Sequence, residues 1–329
     1  MHSRYLFHSF PRPKVAETSA NTLDRGLQIL AFMKETGLIL APEVVTWNIG
    51  FTNGETEKIS ILQQRACFTE LGTAELAAHS AVFGPISLSF DISKLRRIGA
   101  TPVIYAPQGA ADNPLSQIGT FCVRGAYHTR YVLQQLQGLR EVSDAEIAVK
   151  KFGFPLAPDC KISLENTDPA GAVVAKSEVL ASDINRMMQY VGYRNIPFDH
   201  SVGILSVFLN MFYPTDNTFT GDELGYYRQR EWRLIGGPEI NGRAMGRKLS
   251  AMEASRLIAI DQQFWCREIE VPKPDVSQPG DRQQRSSLAL VYDPMENFDF
   301  FDAVESVLVP KDAEGQARAI AGDKLIVLP

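Results

Sequence analysis

The chain is short of the residues that mark the commonest active sites. Its four cysteines, Cys67, Cys122, Cys160 and Cys266, include no CxxC pair, so the spacing offers neither a zinc site nor a disulfide framework. Reduced, partly buried thiols fit a cytoplasmic protein better than a secreted one. The five histidines, His2, His8, His79, His128 and His200, form no HxH or HExxH pattern. There is no GxSxG, no P-loop and no glycine-rich dinucleotide fingerprint, which leaves the familiar routes to hydrolase, kinase and Rossmann enzyme unmarked. Positive charge is not in excess. The net charge of −5 and the pI near 5.6 argue against a general electrostatic grip on nucleic acid. No apolar run approaches the roughly 18 residues of a membrane-spanning helix. The start, Met1 to His8, lacks a signal-peptide apolar region. No membrane partner is expected.

What is present is an ordinary globular composition: 45% hydrophobic and 22% charged over 329 residues. That length allows one large domain or two smaller ones. Residues 4–10 read as a first strand with His8 near its end. A helix follows, with Asn21-Thr22 as its cap, Leu23, Leu27, Leu30 and Met33 as its apolar stripe and Gly37 closing it. Pro42 reads as a breaker after Leu38-Ile39-Leu40, and residues 49–58 as a turn. Arg65 to Leu71 is a strand, Thr73 to Val82 a short helix ended by Phe83-Gly84-Pro85. Ile86-Ser87-Leu88-Ser89-Phe90 alternates with the period of a half-buried strand. A short helix from Asp91 or Ser93 to Arg97 leads to a strand at Thr101–Tyr105.

From 114 to 225 the pattern is mostly helical, with helices expected at 127–139, 144–151, 179–193 and 201–211 and a long loop over 152–178. Beyond it, 250–262 is helical, Phe264 to Val271 extended, Pro272 to Ser287 a loop, Phe301 to Val309 a short helix and strand, and Lys324 to Leu328 a last strand.

The densest chemistry lies at Tyr226 to Gly237. Three arginines, Gln229 and Glu231 fall together between aromatics. In a strand, Gln229, Glu231 and Arg233 share one face. Gln-x-Glu then aims an amide and a carboxylate into a cleft; the plainer alternative is a solvated strand whose Glu231 is held by arginines. His8 reads either as a half-buried, hydrogen-bonded residue or as a ligand contact. Thr69 and Glu70 read as helix caps or as site residues.

These residues resemble a family. His8 on a first strand, then a helix ending towards Gly37-Leu38, is similar to the opening of ADP-ribosyltransferase-like folds. Arg65-Ala-Cys-Phe-Thr-Glu, His79, Phe83-Gly84, Ser89-Phe90, Gly99 and Pro102-Val-Ile-Tyr105 resemble the middle block of AbiGi-type abortive-infection proteins. Glu231-Trp232-Arg233 resembles their late signature, and Ser306 to Pro310 their closing strand. The resemblance covers about half of the chain, discontinuously, and leaves 114–225 unmatched.

It implies bacterial phage defence, in which AbiGi is described as the antitoxin of a toxin–antitoxin pair. It further implies an α+β fold: an ADP-ribosyltransferase-like split β-sheet core from residues 1–113 and 226–329, with a mainly helical insertion at 114–225. On that resemblance NAD is the substrate. Glu231 opposes the oxocarbenium ion formed as nicotinamide leaves, a role suited to a preorganised carboxylate. Gln229 orients the acceptor, and His8 holds a ribose. Thr69, or Ser87 and Ser89, supplies the hydroxyl position, and Arg65, Arg228 or Arg233 meets the pyrophosphate. The acceptor is a protein or a nucleic acid. The alternative is a non-catalytic antitoxin or interaction module that neutralises a partner protein of a defence operon. Two positions depart from the pattern: His8 precedes Ser9-Phe10 rather than Gly-Ser or Gly-Thr, and Gln229 stands where an acidic residue is usual.

Overall fold

A computed structural model describes residues 5–50, 55–107, 117–142, 161–180, 201–215, 230–237, 239–240, 243–273 and 279–328. The fold is mixed α+β. The chain divides into two compact units, one of residues 1–123, 207–238 and 243–329, the other of 124–206 and 239–242.

In chain order the strands are β1 (Tyr5–Phe10), β2 (Ile39–Gly50), β3 (Thr56–Leu71), β4 (Ile86–Asp91), β5 (Thr101–Pro102), β6 (Ile104–Pro107), β7 (Lys161–Thr167), β8 (Val173–Leu180), β9 (Phe212–Thr215), β10 (Glu231–Ile235), β11 (Glu239–Ile240), β12 (Arg243–Ala244), β13 (Gly246–Lys248), β14 (Glu268–Val271), β15 (Asp281–Gln284), β16 (Leu290–Tyr292), β17 (Ser306–Pro310) and β18 (Leu325–Leu328). The α-helices are α1 (Ser19–Thr36), α2 (Leu76–Phe83), α3 (Ile92–Arg97), α4 (Ile118–Val142), α5 (Ser201–Met211), α6 (Ala251–Ile260), α7 (Gln262–Trp265), α8 (Arg285–Leu288), α9 (Phe300–Ala303) and α10 (Glu314–Ala321).

The larger unit is built on a ten-stranded sheet ordered β13-β16-β2-β3-β1-β4-β17-β18, with β10 pairing β3 and β5. The two separate small sheets expected from the sequence are therefore one pairing network. The cause is β3. At 16 residues it is long enough to serve three partners in turn: β2 from Thr56 to Arg65, β10 from Arg65 to Thr69, and β1 from Thr69 to Leu71. Pro42 does not break the chain as expected; it lies inside β2. Opposite it, Gln64 meets no amide hydrogen, since proline has none. The Gln64 carbonyl accepts from the Gly236 amide at 2.7 Å.

The network nevertheless forks. β1 and β3 pair only at Tyr5–Leu71, Leu6–Glu70 and Phe7–Thr69, whereas β1 stays with β4 through Phe10–Ile86. Strand β4 is central rather than half-buried. Ser87 and Ser89 are buried along with their apolar neighbours. A buried hydroxyl needs a partner, and each has one: Ser87 Oγ lies 2.7 Å from Ser9 Oγ, and Ser89 Oγ donates to the Ser306 carbonyl at 3.4 Å.

Helix α1 starts three residues earlier than its expected cap. Thr18 Oγ1 accepts from the Asn21 amide, and Gly37, at φ 110, closes the helix by donating to the Met33 carbonyl. Arg25 of α1 is buried between Glu17 (2.6 Å) and Asp261 (3.1 Å), which ties the β1–α1 connection to the start of α7. Ser250 and Glu253 form a capping box at α6.

Part of the expected 272–287 loop is a strand. Asp281–Gln284 pairs with Glu268–Val271, and Phe264-Trp265 ends a helical turn before it. In the smaller unit, β7 and β8 form a hairpin where the sequence suggested mainly loop. The helix expected at 144–151 lies outside the described residues, as does all but the start of the one expected at 179–193, where Val179 and Leu180 end β8. No described helix is long and apolar enough to cross a membrane.

Candidate functional site

Alternation along β3 puts Gln63, Arg65, Cys67 and Thr69 on one face. Register places Glu231 opposite Thr69, Arg233 opposite Cys67 and Glu43 opposite Gln63, so all seven share that face. Of the residues expected from sequence, Glu231, Arg233, Arg65 and Thr69 are thus brought together. Gln229 lies outside the described residues. Strand β10 begins at Glu231, directly after Arg230, whose φ of 43 lies in the left-handed region disfavoured for side-chain-bearing residues. Its Nη2 donates to both carboxylate oxygens of Glu75, at 2.8 and 2.9 Å.

His8 is not part of this group. Phe7, not His8, is the residue that faces Thr69, so His8 sits one step past the end of the β1–β3 ladder. Its ring packs against Phe10 and Phe68, and its Nδ1 donates to the Cys67 carbonyl at 2.8 Å. Burial lowers its pKa, against the opposing pull of that bond. His8 makes no hydrogen bond to Glu231. The resemblance gives both residues to one NAD site, whereas in the structure His8 lies one residue out of step with the Thr69–Glu231 register. His79 lies nearby, stacked on Phe83. Burial, His8 and Arg12 together press it down to about 4, so it is neutral at ordinary pH.

Glu231 itself is engaged at both oxygens. Arg233 Nε donates to Oε1 at 2.8 Å, and the Tyr105 hydroxyl donates to Oε2 at 2.9 Å. The Arg233 side chain is 1% exposed and that of Glu231 12%. Burial alone would push the Glu231 carboxyl up; Arg233, the Cys67 thiol and Arg65 outweigh it and hold it below the ordinary carboxylate value. The same environment pushes the Cys67 thiol up to about 11, through burial and the Glu231 charge. Cys67 is therefore a neutral donor and not a nucleophile.

The network continues outward. Arg233 Nη1 donates to Gln63 Oε1 and to the Asn210 carbonyl, each at 3.2 Å. Arg65 donates to Gln63 and, at 2.5 Å, to Glu43. Both guanidinium groups lie over the Tyr213 ring, at 5.3 Å for Arg65 and 5.0 Å for Arg233. Among the described residues, Arg233 Nη2 is buried without a hydrogen-bond partner. Two arginines and two glutamates leave the cluster with no net charge.

Tyr105, Cys67, Gln63, Glu43 and Tyr213 were not singled out from sequence. The i, i+2 spacing of Gln63, Arg65, Cys67 and Thr69 was a readable signal for two of them, Gln63 and Cys67. Tyr105 was not readable, because the expected strand 101–105 is broken. Val103 donates its amide to the Glu231 carbonyl (2.9 Å), Thr101–Pro102 pairs with β10, and Ile104–Pro107 turns to pair with β9 in parallel. That bend delivers the Tyr105 hydroxyl to Glu231. Among the described residues no cluster of histidine, cysteine, aspartate and glutamate could hold a metal ion.

Compared with known proteins, the chain matches no family model, no curated protein and no solved structure.

Proposed function

We propose that the chain is a bacterial phage-defence protein acting as a non-catalytic antitoxin or interaction module that neutralises a partner. The defence role rests on the sequence resemblance to AbiGi-type proteins. The non-catalytic role rests on one observation: both Glu231 oxygens are engaged within the protein, one of them by a buried guanidinium. A carboxylate that opposes a cation forming on a sugar must present its charge to that sugar. Here Arg233, two residues away on the same strand face, takes up much of that charge. The imidazole that would hold a ribose is committed to the Cys67 carbonyl.

The experiment pairs growth with chemistry. Expressed alone, the chain leaves growth unchanged, and the purified protein releases no nicotinamide from NAD. Nicotinamide release, or label transfer from NAD to an extract, that disappears in a folded Glu231→Gln variant would overturn the proposal.

A second reading has its own supporting observation, the unpartnered Arg233 Nη2 beside Glu231. In it the chain is an NAD-dependent ADP-ribosyltransferase-like effector. Glu231 and Thr69 face the ribose, Arg65 and Arg233 the pyrophosphate, and a protein or nucleic acid is the acceptor. The fork between β1 and β3 supports the corresponding ADP-ribosyltransferase-like description of the fold. This reading predicts toxicity on expression, relieved by Glu231→Ala.

A further inference from the structure

The β14–β15 hairpin ends in a pair of like charges. Its last paired position is Glu268 with Gln284, and the Arg285 amide donates to the Arg267 carbonyl at 2.9 Å. That bond sets Arg285, the first residue of α8, beside Arg267 just past the end of the ladder, and the two equal charges repel, so that the Arg267 charge is felt at Arg285. Gln283, opposite Ile269 in the ladder, is exposed.

Among the described residues no carboxylate is bonded to either arginine. The nearby acidic group whose charge Arg285 feels is Glu43, and it is already bonded to Arg65 at 2.5 Å. Asp281, at the far end of the hairpin, is paired with Lys273. Arg285 is also held rigidly. Its guanidinium lies 4.2 Å over the Phe264 ring, and its Nε is buried with no hydrogen-bond partner. Burial and the Arg267 charge depress the Arg285 pKa, in keeping with an uncompensated pair.

We propose that Arg267 and Arg285, with Gln283 beside them, form a binding site for a phosphate group. A tetrahedral oxyanion supplies what the pair lacks, negative charge between the guanidiniums and several acceptors for forked donors. Stacking on Phe264 fixes the Arg285 plane in advance, so little side-chain freedom is lost on binding. The site shares no residue with the Glu231 cluster, although Glu43 lies near both, and it stands whether or not that cluster is catalytic.

Calorimetric titration of the full chain at low ionic strength tests this, with inorganic phosphate, pyrophosphate and ADP as probes. Pyrophosphate binds the unaltered protein, and adding salt weakens it. Arg267→Gln and Arg285→Gln each reduce affinity several-fold, and the double variant reduces it at least about tenfold. Arg256→Gln, whose guanidinium is paired with Glu35, leaves it unchanged. Tighter binding of ADP than of pyrophosphate identifies a nucleotide as the source of the phosphate, and equal binding identifies the phosphate group alone. Absence of binding by the unaltered protein overturns the proposal, as does a double variant that binds like it or an equal loss in Arg256→Gln. Thermal unfolding without added anion supplies a second reading. Removing either charge relieves repulsion, so Arg267→Gln unfolds at the same or a higher temperature. A lower temperature for that variant counts against the uncompensated pair.

Discussion

Replacing Glu231 by alanine takes one charge out of an ion pair whose other member cannot reach water. Arg233 is 1% exposed, and its Nη2 already lacks a partner among the described residues. Removing the carboxylate leaves Nε unpaired as well and takes away one acceptor of the Tyr105 hydroxyl. Breaking a buried pair in this way costs about 3–5 kcal/mol. For a folding unit of this size each kcal/mol lowers the melting temperature by about 2–4 °C, so a fall of at least ~6 °C is expected. Glu231→Gln retains an acceptor for Arg233 Nε and should lose less. The decisive measurement is a double-mutant cycle by urea denaturation. Arg233→Met in the Glu231→Ala background should recover at least ~1 kcal/mol, because the stranded charge is gone.

The effect also has a pH signature. The folded Glu231 carboxyl titrates below its ordinary value of 4.5. Its contribution is therefore complete above 4.5 and is lost as pH falls through the folded value. The gap between wild type and Glu231→Ala should narrow in that acid range. A Glu231→Ala variant within ~0.5 kcal/mol of wild type at neutral pH, the ordinary range for surface changes, would refute the account of a buried pair.

His8 gives the opposite end of the acid response. Its folded pKa is lowered from 6.5, so its stabilising contribution is complete above 6.5 and declines as pH falls towards the folded value; His8→Phe should flatten the urea stability profile below 6.5. Gly84 sits at φ 132, and a Cβ there would lie 2.3 Å from the Phe10 carbonyl carbon. Gly84→Ala should therefore cost about 2 kcal/mol or more, read from chemical denaturation. Asp261→Asn removes one of the two carboxylates on the buried Arg25, which keeps Glu17, and should cost about 1.5–3 kcal/mol, whereas Lys14→Ala, at the half-exposed end of the same network, should cost under ~1 kcal/mol. Melting temperatures of the two variants side by side check that order.

Local signals in the sequence were strong wherever a backbone group needed a special residue. Gly37 and Gly84 end their helices as expected, and Asp91 caps α3 with its carboxylate on the Ser93 and Lys94 amides. Pattern failed where tertiary pairing decided the outcome. The serines of β4 look like an exposed face until Ser9 and the Ser306 carbonyl supply partners for them in the interior. The 281–284 segment has no strand pattern of its own, and becomes one by pairing with Glu268–Val271. In the candidate site, Glu231 and Arg233 were legible because they share one strand, and Arg65 and Thr69 because they share another. What sequence could not supply was the register between β1 and β3, which sends Phe7 rather than His8 to the Glu231 face.

Cys67 shows why the fork and the charge cluster belong together. Its carbonyl, left open where β1 departs from β3, is taken by the His8 ring. Its thiol, pushed up to about 11 by burial and the Glu231 charge, stays protonated beside Glu231. One residue thus joins the strand edge closed by the His8 imidazole to the buried carboxylate. Widening the fork would unseat His8 and shift Cys67, and with it one of the groups that hold Glu231 ionised.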